Sequence, residues 1–404
     1  MVKANIVVGL DVGSSKVAAM AGEVKDDGTI EIIGVGFAPS PGISKGVVTS
    51  IESTVEAINK AVTEAKMMAG VTIGEAYLSL SGAHIRGANS NGTLPIKHPE
   101  ISQEDVDQVL EQAQAVAMPV DRMPLHCLVQ EFIVDTQDGI KVPLGMSGVR
   151  LEAKTFLVNT SRGATENFIK CCQKCGIEVS APVLSPLASA YSVLTEDERN
   201  LGVVLVDIGA GTSDIIIYYR NAVVFTSVLS LGGSYITNDI AMGLRTPMAD
   251  AEDLKKRYGH AVPARVDADE VIDVPRVGGK EIRQKSRQTL CSIIEARTEE
   301  ILNMVKEEIE KSAYRDLVGA GVVLTGGVTN MGGVLELADE IFNMPVRIGM
   351  PRFVSRYPEL VENPEFATTV GLLYYGAEQL AEQRKRRRGS NHFLSRFVQW
   401  IMNA

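Results

Sequence analysis

Two polar segments of the chain each combine an aspartate with a turn of glycine and hydroxyl residues. Asp11 and Asp207 each end a run of apolar residues, and the turns follow at residues 13–16 and 209–213. Backbone amides in such turns can bind an anionic oxygen, hydroxyls can add donors, and the carboxylate can hold a hydrated Mg²⁺ ion. Two segments of one design predict two similar lobes whose turns contact a shared polyphosphate. The candidate residues are Asp11, Gly13, Ser14, Ser15, Lys16, Asp207, Gly209, Gly211, Thr212 and Ser213.

Short buried strands must position these turns. The apolar runs on both sides of each turn, with glycines at the reversal, predict two β-hairpins. A third apolar run, residues 322–325, ends at Gly326 and Gly327 before a helix. Glycines at such a junction let a ligand approach the backbone and the helix N-terminus. One such element alone would be an ordinary glycine-rich turn, but three together favour a ligand site.

The order of these motifs resembles that of the actin/Hsp70/sugar-kinase superfamily of two-lobed ATP-binding proteins. The chain has DVGSSK at 11–16, a connecting helix at 181–190, DIGAGTSD at 207–214 and LTGG at 324–327. Within the superfamily, the chain is similar over nearly its whole length to the FtsA family of bacterial cell-division proteins. The resemblance implies an α/β, actin-like (ribonuclease H-like) ATPase fold, with ATP or ADP and Mg²⁺ bound between the lobes.

The resemblance also assigns roles to individual residues. It implies that Asp11 and Asp207 hold Mg²⁺ through water. It further implies that Glu295 and Arg297, near the start of a long helix, contact the adenosine, the alternative being an exposed ion pair. The glycines expected to face the nucleotide are Gly232, Gly233, Gly326 and Gly327.

The sequence lacks the residue types that usually support ATP hydrolysis at the expected positions. Related ATPases carry a Gln or Glu near the positions of Ala181 or Pro186 that orients the attacking water, and neither residue here can polarise water. We therefore expect no catalytic residue, and a protein that is not an enzyme beyond weak ATP hydrolysis. The alternatives are a sugar kinase or phosphatase, which requires a further carboxylate between the lobes that the sequence does not identify, and an adaptor of the PilM type. An Hsp70-type chaperone would need a substrate-binding domain after the lobes.

The resemblance and the composition together predict the domain organisation. Residues 84–162 predict a strand–helix–strand–strand unit, an inserted α+β domain of independent size, whose helix begins at Ser102 with Asp105 as its capping partner. The resemblance implies that this domain contacts other divisome proteins and that a subdomain at 233–302 binds the C-terminal peptide of FtsZ. The remaining expected units are the first lobe at 1–83 and 163–200, and the second-lobe core at 201–232 and 303–383.

The C-terminal segment is basic and amphipathic. Residues 384–404 carry six Lys and Arg and no acid, whereas the rest of the chain has 34 basic and 50 acidic residues, a balance of −16. This acidic body argues against nucleic-acid binding. Residues 384–391 predict a basic linker and 392–404 an amphipathic helix that lies flat on an anionic membrane, too short to span it. Docking of this helix on the body or on a partner is the alternative. The residues expected to contact lipid are Phe393, Leu394, Arg396, Phe397, Val398, Trp400 and Ile401.

Sparse cysteines are consistent with a reducing cytoplasm. Cys171, Cys172 and Cys175 share one helical segment, and buried helix cysteines are favoured over a metal or redox site. Together these features predict an ATP-dependent adaptor on the cytoplasmic face of the inner membrane at the division site. We expect it to polymerise with copies of itself, to anchor the FtsZ ring and to recruit later divisome proteins.

Overall fold

The computed structural model describes residues 5–278 and 282–388 and shows two α/β lobes with a smaller domain inserted in the first. The predicted pair of lobes and the insertion are confirmed. The amphipathic helix expected at 392–404, with all its lipid-facing residues, lies outside the described residues, as do residues 389–391 of the expected linker. None of the helices in the described ranges is long and apolar enough to cross a membrane.

The first lobe contains eight strands and five helices, and its last helix comes from the C-terminal end of the described chain. These elements are β1 (Ile6–Val12), β2 (Lys16–Val24), β3 (Ile30–Pro39), β4 (Ile43–Ser44), β5 (Val47–Val48), α1 (Ile51–Ala69) and β6 (Glu75–Leu80), and after the insertion α3 (Arg162–Lys174), β11 (Glu178–Leu184), α4 (Ser185–Val193) and α5 (Glu196–Leu201), with β19 (Val354–Ser355) and α11 (Ala367–Arg388).

The main sheet of this lobe has the order β11-β6-β1-β2-β3-β19, and helices cover both faces. Helix α1 packs on one face and α11 on the other, because glycines in the strands let each helix approach the sheet closely. A Cβ on Gly36 would lie 2.1 Å from the carbonyl oxygen of Ala61 in α1, and one on Gly9 would lie 2.8 Å from that of Thr369 in α11. Helices α4 and α11 also pack tightly, since a Cβ on Gly371 would lie 1.7 Å from the oxygen of Ala188.

The second lobe is built on a five-stranded sheet of order β14-β13-β12-β17-β18. Every residue of the central strand β12 is buried. A smaller subdomain of two helices and a hairpin adjoins the sheet, and the long helix α8, expected at 289–313, joins the two parts. The elements are β12 (Val203–Ile208), β13 (Ser213–Tyr219), β14 (Ala222–Leu229), α6 (Gly233–Leu244), α7 (Met248–Tyr258), β15 (Val271–Pro275), β16 (Ile282–Ser286), α8 (Arg287–Lys311), β17 (Val322–Thr325), α9 (Val334–Phe342) and β18 (Val346–Ile348). The short helix α10 (Pro358–Val361) follows β19 and packs on the first lobe.

The inserted domain follows the predicted strand–helix–strand–strand order, with one additional strand. The segment 135–139, expected to be a polar turn, instead leads directly into a short edge strand after a left-handed residue at Asp135. The capping box of Ser102 and Asp105 is present as predicted. The sheet order is β7-β10-β8-β9. The elements are β7 (Arg86–Pro95), α2 (Gln103–Gln114), β8 (Arg122–Val134), β9 (Gln137–Ile140) and β10 (Arg150–Ser161).

Two local features differ from, or complete, the sequence interpretation. Helix α11 was expected near 368–376, but it continues to Arg388, so the first part of the expected linker is helical. Glutamate, glutamine, lysine and arginine all have high helix propensity, and no glycine or proline interrupts the run before Gly389.

On α3, Cys171 and Cys172 are buried, and burial raises the pKa of the Cys172 thiol to about 12, so both thiols behave as core residues.

Candidate functional site

A cavity of about 850 Å³ lies between the two lobes. Its wall combines the turn after β1, the turn after β12, the start of α6, helix α7 and the glycine-rich segment after β17. Most of the residues predicted from sequence line it, namely Asp11, Gly13, Ser14, Ser15, Lys16, Asp207, Gly209, Gly211, Thr212, Gly233, Gly326 and Gly327.

The two turns touch each other across the cleft. A Cβ on Gly211 would lie 2.4 Å from Oγ of Ser14 and 2.7 Å from its Cβ. Ser14 in turn accepts a hydrogen bond from the Gly46 amide at 3.3 Å. The backbone of the second-lobe turn therefore rests directly on the first-lobe turn, and only glycine fits at that point.

Gly211→Ala tests this contact. The added methyl group should force the turns apart by several tenths of an ångström and lower the affinity for Mg-ATP by about tenfold, because a ligand held from both sides is sensitive to such displacements. Gly74→Ala is the matched control, since its Cβ would meet nothing within 4 Å and Gly74 does not line the cavity. Titration calorimetry of both variants measures the effect, and equal affinities would show that the contact does not shape the site.

Asp207 is buried at the centre of the site. Its Oδ2 accepts hydrogen bonds from the hydroxyls of Ser189 in α4 at 2.7 Å and Thr368 in α11 at 3.0 Å. A Cβ on Gly326 would lie 2.4 Å from its Oδ1, so the neighbouring strand also presses against this carboxyl group. Burial raises the pKa of Asp207. A carboxylate held this firmly, yet short of positive charge, is suited to a cation supplied from outside.

Asp11, which is half-buried, and Asp214, which is buried, complete a group of three carboxyl groups. Asp11 accepts a hydrogen bond from Ser79 at 2.5 Å, and burial raises its pKa to about 6. The two oxygens of Asp214 accept from the Ser81 hydroxyl at 2.7 and 2.8 Å, and burial raises its pKa to about 7. Ser81 belongs to the first lobe, so this hydrogen bond crosses the cleft.

Asp214 is the residue that sequence reasoning missed, and its position corrects the expectation that no further carboxylate lies between the lobes. The spacing of residues in the predicted hairpin is enough to place Asp214 in the cleft. Residues 209–212 form the turn, and Asp207 and Asp214 are directly paired across the two strands. Opposed residues of an antiparallel pair point to the same face. A carboxylate in the cleft at position 214 therefore follows once the turn is counted.

Lys16 supplies positive charge to this group. Its ammonium lies 3.0 Å from Glu365 and 3.6 Å from the centroid of the Phe366 ring. Burial lowers the pKa of Lys16, while Glu365, Asp11 and Asp207 oppose that shift. Three carboxyl groups beside Lys16 leave an excess of negative charge, and carboxylate oxygens are the ligands that Mg²⁺ prefers. The residues present therefore fit a divalent cation near Asp11 and Asp207.

The far side of the cavity is formed by α6 and α7, and its polar residues were not predicted. The ammonium of Lys255 donates to the Gly233 oxygen at 3.1 Å and to the Thr237 hydroxyl at 2.8 Å, and it pairs with Glu252 at 2.6 Å. Burial lowers the pKa of Lys255. The sequence around these residues contains no glycine motif. They lie on one face of an amphipathic helix whose pattern is typical of any surface helix. Further lining residues here are Met248, Ala249, Lys256, Asn330 and Met331.

Three predicted site residues do not line the cavity. Ser213 is buried and donates to the Leu231 oxygen at 2.9 Å. Gly232 supports the turn from behind, since its Cβ would lie 2.4 Å from the Gly209 oxygen. Glu295 lies on α8 away from the cavity wall.

The ion pair expected as the alternative for Glu295 also differs from the structure. Arg297 contacts Asp239 and Glu300, each at 2.5 Å, and not Glu295. The spacing explains the difference, because residues two apart on a helix do not face each other, whereas residues three apart do.

The region where related ATPases place a water-orienting side chain is occupied by the start of α4. Pro186 is buried at the first turn, and the neighbouring Ser185 lines the cavity. Neither can take a proton from water at neutral pH.

Comparison with known proteins places the chain among cell-division proteins. Residues 204–371 match the family model described as "Cell division protein FtsA", and residues 82–159 match the "SHS2 domain inserted in FTSA". The cell division protein FtsA of Pseudomonas aeruginosa is 49% identical over 377 residues, covering 93% of this chain and 90% of that protein. FtsA of Escherichia coli K12 is 42% identical over 416 residues and 99% of each chain.

Solved structures show the same fold at low sequence identity. The chain matches a protein of the PilM-PilN type IV pilus biogenesis complex with a TM-score of 0.64 at 15% identity, covering 92% of this chain and 98% of that one. It matches MreB5 of Spiroplasma citri bound to ADP with a TM-score of 0.55 at 13% identity, covering 96% and 99%. The expected actin-like fold is thereby confirmed.

Proposed function

Because this chain belongs to the FtsA family of cell division proteins, we propose that it binds ATP or ADP with Mg²⁺ between its lobes and acts as a polymerising adaptor of the division machinery. The observation that carries the proposal is the contact of two glycine-rich turns, one from each lobe, beside the carboxyl groups of Asp11, Asp207 and Asp214. The MreB5 structures in complex with ADP and AMPPNP support a nucleotide in a fold of this kind.

Each part of the cleft has a role in the proposed binding mode. The amides of the turns at 13–16 and 209–212 bind phosphate oxygens, and Lys16 neutralises part of their charge. Asp11 and Asp207 hold Mg²⁺ through its water ligands, and the cation would offset the charge that these carboxylates carry. The polar groups of α6 and α7 face the nucleoside. The bound nucleotide would then hold the lobes in one relative orientation, which is the orientation that assembles.

Membrane attachment is proposed for the C-terminal segment. The basic run and the apolar residues of 392–404 favour binding to anionic lipid at the cytoplasmic face of the inner membrane, at the division site. One such helix binds weakly and reversibly. Self-association would align many of them on one surface and make the attachment firm through effective concentration. The filament of the actin-like MamK, with a TM-score of 0.50, supports assembly by this fold.

The proposed protein partners are those of a division adaptor. The C-terminal peptide of FtsZ would bind the subdomain at 233–302, and other divisome proteins would bind the inserted domain at 84–162. The acidic body makes nucleic acid an unsuitable partner. We propose an adaptor with slow hydrolysis at most, since Ala181 and Pro186 offer no group to orient water.

Deletion of residues 390–404 separates two parts of the proposal. The truncated protein should bind Mg-ATP like the full chain but should no longer pellet with vesicles containing anionic lipid, because the basic, apolar surface is lost. Arg396→Ala is a milder comparison, expected to reduce pelleting only partly, since one charge near an anionic surface contributes about 1 kcal/mol. Undiminished pelleting of the truncated protein would contradict membrane attachment through this segment.

Binding of an FtsZ C-terminal peptide tests the partner. We expect fluorescence anisotropy to show binding by the full chain and by the 390–404 deletion alike. A peptide with the same composition in scrambled order is the control. Equal binding of both peptides would contradict a specific FtsZ site.

A further inference from the structure

The inserted domain is fixed to the first lobe through a buried histidine. Nε2 of His126, in β8, accepts a hydrogen bond from the Leu184 amide at 3.0 Å. Burial lowers the pKa of His126 to about 4, so the ring is neutral and this nitrogen is able to accept. The ring also packs edge-on against Tyr375 of α11, with 6.1 Å between centroids. The inserted domain is therefore anchored where α4 and α11 meet.

The anchored segment leads directly to the nucleotide cleft. Leu184 is the last residue of β11 and directly precedes α4, and the next residue, Ser185, lines the cavity. One turn further along the same helix, Ser189 donates to the carboxylate of Asp207. A shift of β8 at His126 would therefore move the helix that holds Asp207.

The inserted domain also contacts the second lobe. Gln130, four residues after His126 on the same strand, donates to the Val223 oxygen at 3.1 Å, and the ammonium of Lys141 donates to the Arg220 oxygen at 3.0 Å. Both acceptors belong to the β13–β14 hairpin or its turn. The other end of this hairpin carries Asp214, which binds Ser81 across the cleft.

We propose that the inserted domain is a clamp that bridges the two lobes, and that its docking on the second lobe and nucleotide binding in the cleft stabilise each other. The reason is geometric: β8 contacts the residue before α4 of the first lobe through His126 and the β13–β14 hairpin of the second lobe through Gln130. Both sets of contacts are kept only at one lobe orientation, the one in which the two phosphate-facing turns touch. Coupling of this kind is reciprocal. A divisome protein bound to the inserted domain would thereby alter nucleotide affinity. This inference rests on the proposed nucleotide binding.

A pair of double variants tests the clamp. Gln130→Ala with Lys141→Ala removes two of the hydrogen bonds to the second lobe, at side chains that are half-buried and exposed, and leaves the Asn89–Tyr314 hydrogen bond in place. Gln112→Ala with Lys154→Ala is the matched control, because these side chains bond within the inserted domain, to the Thr93 amide and to Glu131. We expect the first pair to weaken Mg-ATP binding by about fivefold in calorimetry, and the control to leave the dissociation constant unchanged.

Hydrogen exchange provides the reciprocal measurement. Mg-ATP should slow amide exchange in 122–134 and 222–229 in the parent protein and the control, but not in the variant that lacks Gln130 and Lys141. Equal affinities together with unchanged exchange in these strands would overturn the clamp while leaving nucleotide binding intact. Failure of the parent to bind Mg-ATP would instead contradict the proposed function on which the clamp depends. Melting curves of both variants confirm that they are folded.

Discussion

Asp207→Asn should reduce the affinity for Mg-ATP by about 100-fold while making the nucleotide-free protein more stable. The two effects have one cause. The Asp207 carboxylate is buried, and its hydrogen-bond partners are two hydroxyls, from Ser189 and Thr368, while Lys16 acts on it only through the longer-range charge interaction. Asparagine keeps the volume and an acceptor oxygen for the hydroxyls but removes the charge. The free protein is then relieved of a desolvated carboxylate, and the cation loses the charge that attracts it.

Thermal unfolding with and without Mg-ATP measures both effects in one experiment. The variant should melt at a higher temperature than the parent in EDTA, and Mg-ATP should no longer raise its melting temperature. Asp273→Asn is the control, because Asp273 is exposed on the hairpin of β15 and β16. If Asp207→Asn destabilises the free protein and still binds Mg-ATP, then Asp207 is a structural residue and the proposed metal site is wrong.

The second large effect is a pH dependence of stability that depends on Asp11 and Asp214. The folded-state pKa values of about 6 and about 7 lie above the ordinary value of 3.8. Each carboxyl group therefore adds stability that is fully present below about pH 3.8 and is lost as the pH rises through the folded-state value. The loss amounts to about 3 kcal/mol for Asp11 and about 4 kcal/mol for Asp214.

The comparison of variants isolates this effect from other titrating groups. His126, with a lowered pKa of about 4, has the opposite trend, since its contribution is lost as the pH falls, but it is common to all variants. In EDTA, the gain in unfolding free energy of Asp214→Asn over the parent should grow between pH 4 and pH 7.5, as measured by urea titration. Asp11→Asn should show its growth at a pH lower by about one unit. Parallel pH curves for parent and variants would contradict the buried, charged state of these groups.

The sequence predicted the parts of the site that depend on local chemistry. Asp11, Asp207 and the glycines of the two turns could be recognised because a tight reversal next to a strand requires those residue types. Lys255 and Glu252 could not, since an amphipathic helix presents many lysines and glutamates and only tertiary packing selects the ones that face a cleft. Glu295 lies on a helix whose presence was predicted, but none of the residues of that helix lines the cavity, which is again a matter of tertiary packing.

The fold was predicted to a similar degree. Strands, helices and the insertion follow from apolar periodicity and turn residues, which are local signals. The tight approach of α4 to α11 at Gly371 and the docking of Gln130 on the second lobe join residues far apart in the chain. No local sequence pattern predicts contacts between residues that are far apart in the chain. The extension of α11 to Arg388 was missed because a run of charges was taken for a linker although each residue favours helix.

The path of α11 determines where the C-terminal segment would leave the folded body of an assembled protein. The helix begins beside Asp207 at Thr368, runs along the first-lobe sheet and is tied to Asn5 by Arg384 near its far end. Twenty residues of helix span about 30 Å. The last described residue, Arg388, therefore lies at the far end of a single helix that begins at the proposed nucleotide cleft. In a polymer of such subunits, the C-terminal segments would leave the filament at regular intervals equal to the spacing of the subunits.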